Sequence, residues 1–428
     1  MPTSINPPAS KSISNRLLIL AAIIGNNIKI QNLAKCDDTF YMLEALKKLG
    51  VKIEQKNNTT TIKTSILSLK QSDEKKEIYT DNAGTTTRFF TALSTISNQN
   101  IIIDGSKRMR ERPLKDLIQA LTKLGANIEH QNFHVPLKIH PTNLKGTTIN
   151  LPGNISSQFL SALILIAPFV PGETIIKITT ELCSIPYVKI TLNALEQFGL
   201  KVIQQNWRKF TIPEQKIDTK SKITTKTVEN DASSASYIGA FAALNPGTKI
   251  LIKNVFTNSI QGDIKFLDYL KKMGCKTQSN KEGIIISGPN KLKPLGIIDM
   301  NSTPDLVMTF AVLAMFTPGK TTITNIANLR VKETDRLAAL ENEIKKFNIK
   351  VKSEKDYIEI QGNPELIKDK ALPSPNLIKT YDDHRIAMCF GILKSHFPDI
   401  EIENPNCVSK SYPNFWTDLN KMIKANNE

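Results

Sequence analysis

The sequence predicts an α/β protein built from six copies of one unit of about 75 residues. Three observations predict it: a helix-ending pattern that recurs at a fixed period, a second set of nearly uncharged helices in phase with it, and β-prone runs between them. The first pattern is a helical segment with an apolar residue and Gly at its end, followed by a strand-like run. It begins at Ala45, Ala120, Ala194 and Tyr269. A fifth copy begins at Glu343 with Asn348 in the Gly position, and a degenerate sixth at Asp418 closes the chain. The spacings are 75, 74, 75, 74 and 75 residues.

Each copy reads as the end of an amphipathic helix. Gly suits the left-handed position that stops a helix, and the run after it returns as a strand. The second set of helices starts near Ser10, Asn82, Ser156, Asp231, Pro304 and Asp383. Beyond their first turns these helices carry almost no charge, which predicts burial on most sides. Their polar residues gather at the N-termini, where backbone N–H groups and the helix dipole attract anions. Capping accounts for Ser12, Ser156 or Asp231 taken singly. It does not account for Lys11, Arg16, Arg88 and Arg385 in the same first turns, where a cation opposes the dipole.

Composition bounds the remaining possibilities. The chain has 428 residues, 56 Lys plus Arg against 40 Asp plus Glu, and a net charge of +16. No apolar run approaches the ~20 residues that a membrane helix needs. Five widely spaced cysteines suit neither a disulfide framework nor a zinc site, and no targeting signal is evident, so a cytoplasmic protein is expected. The positive charge raises the alternative of a nucleic-acid binder. However, only 6% of residues are aromatic, the lysines are spread evenly, and no nucleic-acid-binding or P-loop motif occurs. An anion-binding cleft with electrostatic steering explains the charge better. His130 and His134 have zinc-like spacing, but Pro136 and the alternation around them point to a strand.

Nine segments, in order, carry a specific resemblance: PASKSISNR (8–16), NAGTTTR (82–88), RMRERP (108–113), ISSQ (155–158), DASSASY (231–237), DMNSTPD (299–305), RVKETDR (330–336), DHR (383–385) and CVSKSYP (407–413). Together they resemble the 5-enolpyruvylshikimate-3-phosphate synthase family. The resemblance implies two similar lobes, each three βαβαββ units arranged as an inside-out α/β barrel. One lobe is expected over residues 10–229 and the other over 1–9 with 230–428. It also implies transfer of the enolpyruvyl group of phosphoenolpyruvate to the 5-hydroxyl of shikimate 3-phosphate, releasing phosphate, by a monomer with no metal or organic cofactor.

Site residues follow from the same resemblance. Lys11, Gly84, Arg112, Gln158, Arg336, Arg385 and Lys410 are assigned to phosphoenolpyruvate. Ser12, Arg16, Ser156, Ser157, Gln158, Ser184, Tyr187, Asp305, Asn328 and Lys332 are assigned to shikimate 3-phosphate. Both ligands bear a phosphate and a carboxylate, which suits the planar fork of Arg and the point charge of Lys. The addition–elimination chemistry needs groups that move protons at the hydroxyl and at the methylene carbon. The candidates are Asp305 and Glu333 respectively, with Lys11 offsetting charge on the departing phosphate and His384 assisting Glu333. Taken alone, Asp305 reads as a helix cap, Glu333 with Arg336 as a surface ion pair and Lys410 as a solvated lysine. Their joint occurrence in the motifs reverses those readings.

Four positions depart from the pattern. Phe89 stands where Pro is usual, which leaves the helix start after Gly84 open to a shift. Asp81, Asn230 and Leu329 stand where Gly, Gly and Trp are expected. The nearest rival is the sister enolpyruvyl transferase acting on UDP-N-acetylglucosamine. That enzyme usually places a Cys in the region of Arg108 to Arg112, and no Cys lies between Cys36 and Cys183.

Overall fold

The computed structural model describes residues 2–216, 225–369 and 376–427. The chain divides into two compact units, Ala9–Val228 and Met1–Pro8 with Glu229–Glu428. In chain order the α-helices are α1 (Lys11–Ile24), α2 (Asp37–Lys48), α3 (Gly84–Thr95), α4 (Lys115–Lys123), α5 (Ser157–Ile166), α6 (Ile185–Gln197), α7 (Ala232–Leu244), α8 (Phe266–Lys272), α9 (Val307–Ala314), α10 (Arg336–Lys345), α11 (Leu366–Asp369), α12 (His384–Gly391) and α13 (Phe415–Asn427).

The period has a structural counterpart. Each of the first five repeats runs strand, helix, strand, helix and hairpin, and the helix-ending pattern lies in α2, α4, α6, α8 and α10. Gly50, Gly125, Gly199 and Gly274 end their helices at φ of 100°, 103°, 75° and 101°, and Asn348 does so at 56°. Asn tolerates this left-handed conformation better than most residues, which explains how it replaces Gly in the fifth copy. The sixth repeat keeps its two helices but reduces its sheet to the strands Leu377–Ile378 and Glu401–Ile402.

Five four-stranded sheets share one order: a parallel pair, then two antiparallel pairings. Three draw all their strands from one repeat. The other two exchange a strand. Thr3–Ile5 pairs in parallel with Lys249–Lys253, and Thr225–Thr227 pairs in parallel with Ile28–Gln31. The first repeat and the fourth therefore complete each other's sheets, which is why each unit's chain is discontinuous or ends in a borrowed position. None of the described sheets closes on itself.

The nearly uncharged helices occupy the inside of each unit. Every residue of α3, α7, α9 and α12 is buried, whereas α4 buries only Leu117, Ile118, Ala120 and Leu121. This follows the charge pattern: uncharged helices can be surrounded, whereas amphipathic ones must keep a face in water. Ser10, Ser156, Asp231 and Asp383 accept backbone N–H groups as caps. The cap position of α3 is Ala83, which offers no side-chain cap. No helix among the described residues is long and apolar enough to cross a membrane.

Three of the four departures have a distinct local setting, and the fourth, Leu329, is buried. Asp81 adopts φ 47°, a left-handed position that Gly would take at lower cost. Asn230 Nδ2 donates to the Pro7 carbonyl at 2.7 Å and to Asn6 Oδ1 at 2.9 Å, so it joins the segments at the two ends of its unit's discontinuity. Phe89 is buried, α3 continues through it, and its ring lies under the Arg16 guanidinium with 5.0 Å to the centroid.

Close packing makes one glycine a test of this architecture. A Cβ on Gly362 would press into the carbonyl oxygens of Ala314 and Thr317. Gly362→Ala is expected to destabilise the protein by about 1–3 kcal/mol, read by urea unfolding.

Candidate active site

In the unit Ala9–Val228, the predicted residues sit on the first turns of neighbouring helices. Lys11, Ser12 and Arg16 lie on α1, Gly84 opens α3, Ser156 caps α5, Ser157 and Gln158 begin it, and Ser184 with Tyr187 begin α6. Arg112 comes from the short 3-10 turn before α4. Side chains on helix starts point toward the N-terminal end of their helix, so one end of this helix cluster collects them.

Arg16 is almost wholly buried, and its described bonds all go to neutral groups. Nε donates to Thr191 Oγ1 (2.7 Å), one terminal nitrogen to the Ser12 carbonyl (2.8 Å), and the other to the Tyr187 carbonyl (3.1 Å) and Ser161 Oγ (3.3 Å). Burial lowers its pKa to about 9. In this state Arg16 holds the α1 and α6 backbones that carry Ser12 and Tyr187. Arg88 repeats the arrangement one helix on: it donates to Gln158 Oε1 at 2.6 Å and lies 5.3 Å from the centre of the Phe159 ring. Gln158 Nε2 in turn donates to Thr85 Oγ1 at 3.1 Å.

Two further pairs position cations. Lys11 Nζ meets Asp38 Oδ2 at 3.1 Å, with Asp38 buried at the start of α2. Arg112 donates at 3.0 Å to both the carbonyl and the Oδ1 of Asn82. The segment around Asn82 thus acts as an anchor for Arg112 rather than as a cap. Gly84 explains itself here: a Cβ would stand 2.6–2.8 Å from the Arg112 guanidinium. Only a residue without a side chain admits that approach.

In the other unit, Arg336 is the centre. Its Nε donates to Asp383 Oδ2 (2.7 Å), and its terminal nitrogens reach Glu333 (2.9 Å) and Asp305 (3.1 Å). Asp305 also receives Arg385 at 2.7 Å, and Arg385 donates to the Tyr237 hydroxyl at 3.2 Å. Burial acts to lower the Arg336 pKa, but Asp383, Glu333 and Asp305 reverse it and leave the group more firmly charged than usual. Burial pushes the Tyr237 hydroxyl up, despite Arg385. Asp305 therefore does more than cap a helix: the turn Pro304–Leu306 has no side-chain cap, and its carboxylate bridges two arginines. Glu333 and Arg336 form a buried pair, not a surface one. Lys410 is also buried.

The other predicted residues of this unit lie before α10 and at the start of α12. Asn328 lies in the turn Ala327–Val331 and Lys332 follows it, and His384 begins α12 with Nδ1 3.6 Å from Asp383 Oδ1. Sequence reasoning passed over Asp38, Asn82 as an anchor, Tyr237 and Asp383 as partners. Asp383 and Tyr237 lay inside quoted motifs, so those motifs were the available signal. Asp38, distant in sequence from Lys11's own segment, had none. Among the described residues, no group of three or more His, Cys, Asp or Glu side chains is placed to hold a metal ion.

Removing one partner of a buried ion cluster leaves an uncompensated charge. Asp383→Ala is expected to cost about 3–5 kcal/mol in unfolding free energy. Asp335→Ala is the contrast: it loses the half-exposed pair with Arg330 and the α10 cap, a cost of roughly 1–2 kcal/mol. Urea titrations of both variants check the difference.

The comparisons with known proteins bear on the whole chain. The family model for EPSP synthase (3-phosphoshikimate 1-carboxyvinyltransferase) matches residues 2–419. A 3-phosphoshikimate 1-carboxyvinyltransferase of Vibrio atlanticus is 40% identical over 425 residues, covering 98% of this chain and 96% of that protein. One from Buchnera aphidicola subsp. Baizongia pistaciae is 40% identical over 421 residues, covering 97% and 95%. A solved EPSP synthase of Acinetobacter baumannii superposes with a TM-score of 0.76 at 25% identity, covering 97% of this chain and 94% of that one. With a family model spanning the repeats and relatives this similar over nearly their full length, the chain belongs to the EPSP synthase (3-phosphoshikimate 1-carboxyvinyltransferase) family.

Proposed function

We propose that the two residue clusters perform the family's reaction in a defined division of roles. The enolpyruvyl group of phosphoenolpyruvate passes to the 5-hydroxyl of shikimate 3-phosphate, and phosphate leaves, on the route to chorismate. The unit Ala9–Val228 mainly holds shikimate 3-phosphate, through Ser12, Arg16, Ser156, Ser157, Gln158, Ser184 and Tyr187. It also supplies Lys11, Gly84 and Arg112 to phosphoenolpyruvate. The other unit supplies Arg336, Arg385 and Lys410 to phosphoenolpyruvate, Asn328 and Lys332 to shikimate 3-phosphate, and the two reacting carboxyl groups.

The observation that carries this reading is that Asp305 and Glu333 both contact the one buried guanidinium of Arg336. Two carboxyl groups fixed on a common cation can act at two neighbouring atoms of one reaction. Asp305 accepts the proton of the 5-hydroxyl as its oxygen bonds to the central carbon of phosphoenolpyruvate. Glu333, in its acid form, delivers a proton to the methylene carbon. In the second step the Glu333 carboxylate removes a proton from the new methyl group, the carbon–oxygen bond to phosphate breaks, and the hydroxyl's original proton leaves with phosphate. Lys11 offsets the charge that develops there, and His384 supports Glu333 in handling its proton. Each chain contains the full residue set, so the scheme needs no second copy. Its phosphorylated substrates suit a cytoplasmic enzyme.

Phosphate release from phosphoenolpyruvate by the purified chain tests the acceptor. Release is expected with shikimate 3-phosphate and not with UDP-N-acetylglucosamine; the opposite preference would replace the acceptor. Glu333→Gln and Lys11→Ala are expected to lower turnover about 10²–10⁴-fold while the melting transition stays cooperative. Near-normal turnover in either variant would remove that residue from the mechanism.

A further inference from the structure

His130 and His134 are side chains of the unit Ala9–Val228 that the reaction scheme leaves without a role. Their zinc-like spacing has another origin. The strands Asn127–Gln131 and His134–His140 form a hairpin whose connecting residues, Asn132 and Phe133, stand at φ 52° and 61°. The His130 ring stacks on Phe133 with centroids 4.3 Å apart, and its Nδ1 accepts the Phe133 backbone N–H at 3.1 Å. His130 therefore braces the turn itself. His134 reaches out of the hairpin: its Nδ1 lies 3.1 Å from the carbonyl oxygen of Arg112. A carbonyl oxygen only accepts, so Nδ1 of His134 carries the hydrogen and donates it.

This bond falls where the chain leaves its helical course. Arg112 ends the 3-10 turn Met109–Glu111 and precedes Pro113, which favours the extended backbone it adopts at φ −74° and ψ 139°. Its carbonyl is met by His134, on a strand that packs against the same turn. The next carbonyl, that of Pro113, accepts from Arg88 at 3.3 Å. Two residues on, Lys115 Nζ stands 5.7 Å from the centre of the Phe133 ring, a second tie to the hairpin. The backbone of Arg112 is thus held by the hairpin and α3, while its guanidinium is held by Asn82 at 3.0 Å and lies close against Gly84. With the head of the side chain fitted this closely, a shift at its backbone end moves the guanidinium out of place.

We propose that His134 is a positioning residue for phosphoenolpyruvate binding: its Nδ1–H fixes the Arg112 carbonyl and so sets where the Arg112 guanidinium meets the substrate. It touches no reacting atom in the scheme and acts through Arg112. The inference rests on the assignment of Arg112 to phosphoenolpyruvate made above. A neutral hydrogen bond of ordinary strength corresponds to about 2–10-fold in affinity. Because Arg112 binds rather than moves protons, its misplacement acts on KM for phosphoenolpyruvate more than on kcat.

The test is steady-state kinetics against each substrate in the unaltered chain, His134→Ala, His134→Asn and His134→Gln. His134→Ala is expected to raise KM for phosphoenolpyruvate about 2–10-fold, with KM for shikimate 3-phosphate unchanged. Asn carries its amide nitrogen as many bonds from the backbone as Nδ1 of His, so His134→Asn is expected to keep the low KM. Gln carries it one bond farther, and His134→Gln is expected to behave as His134→Ala. That contrast between two amides decides the matter if His134→Ala does not fold. An unchanged KM for phosphoenolpyruvate in His134→Ala, equal rises in the Asn and Gln variants, or a parallel rise for both substrates would overturn the positioning role and leave the binding assignment standing. Arg112→Gln with an unchanged KM for phosphoenolpyruvate would overturn the assignment of Arg112, and the role of His134 with it.

Discussion

Burying the guanidinium of Arg336 is the constraint on which the C-terminal part of the fold and its reactive groups depend. A buried cation without partners costs several kcal/mol, and its attraction to carboxylates repays this only with good geometry. Here the partners are Asp383 at the α12 cap, Glu333 three residues upstream and Asp305 in the turn before α9. Elements of the fifth and sixth repeats must therefore meet at one side chain. The carboxyl groups that the proposed chemistry uses are held in place by a need that belongs to folding.

The unit Ala9–Val228 solves the same problem differently. Its fully buried Arg16 is met by hydroxyls, carbonyls and the Phe89 ring, and burial lowers its pKa rather than raising it. Arg336 is neutralised by the carboxylates around it, whereas the described bonds of Arg16 go to neutral groups. That difference fits a division in which one unit mainly receives an anionic substrate and the other adds the groups that move protons. Asp38 moderates the contrast by pairing with Lys11, so even the cationic centre has one cation anchored before any ligand arrives.

The exchange of strands between the first and fourth repeats shows how a linear repeat becomes two bodies. Thr3–Ile5 and Thr225–Thr227 each complete a sheet begun elsewhere in the chain. Parallel neighbours cannot be joined by a tight hairpin, so a distant segment can supply the edge strand without altering the rest of the sheet. Asn230, bonded to Asn6 and Pro7, ties the two segments that the exchange brings side by side.

Local physics made much of this legible in the sequence. A helix that lacks charge is buried, a helix with one apolar face is not, and Gly or Asn at its end takes a left-handed turn; these rules act within a few residues, so the period, the helix types and the caps at Ser156 and Asp231 could be read directly, whereas the cap of the first helix is Ser10 and not the expected Ser12. The ordered motifs likewise marked the family to which the chain belongs. Partnership across the fold was another matter. Whether Glu333 with Arg336 lay on the surface, whether Asp305 served only as a cap, and what held Lys11 were decided by packing, because burial and charge pairing depend on elements tens to hundreds of residues apart. Asp38 carries no local mark at all. Its pairing with Lys11 arises only when the helices assemble, since the energy of a charge is set by everything that surrounds it and not by its neighbours in the chain.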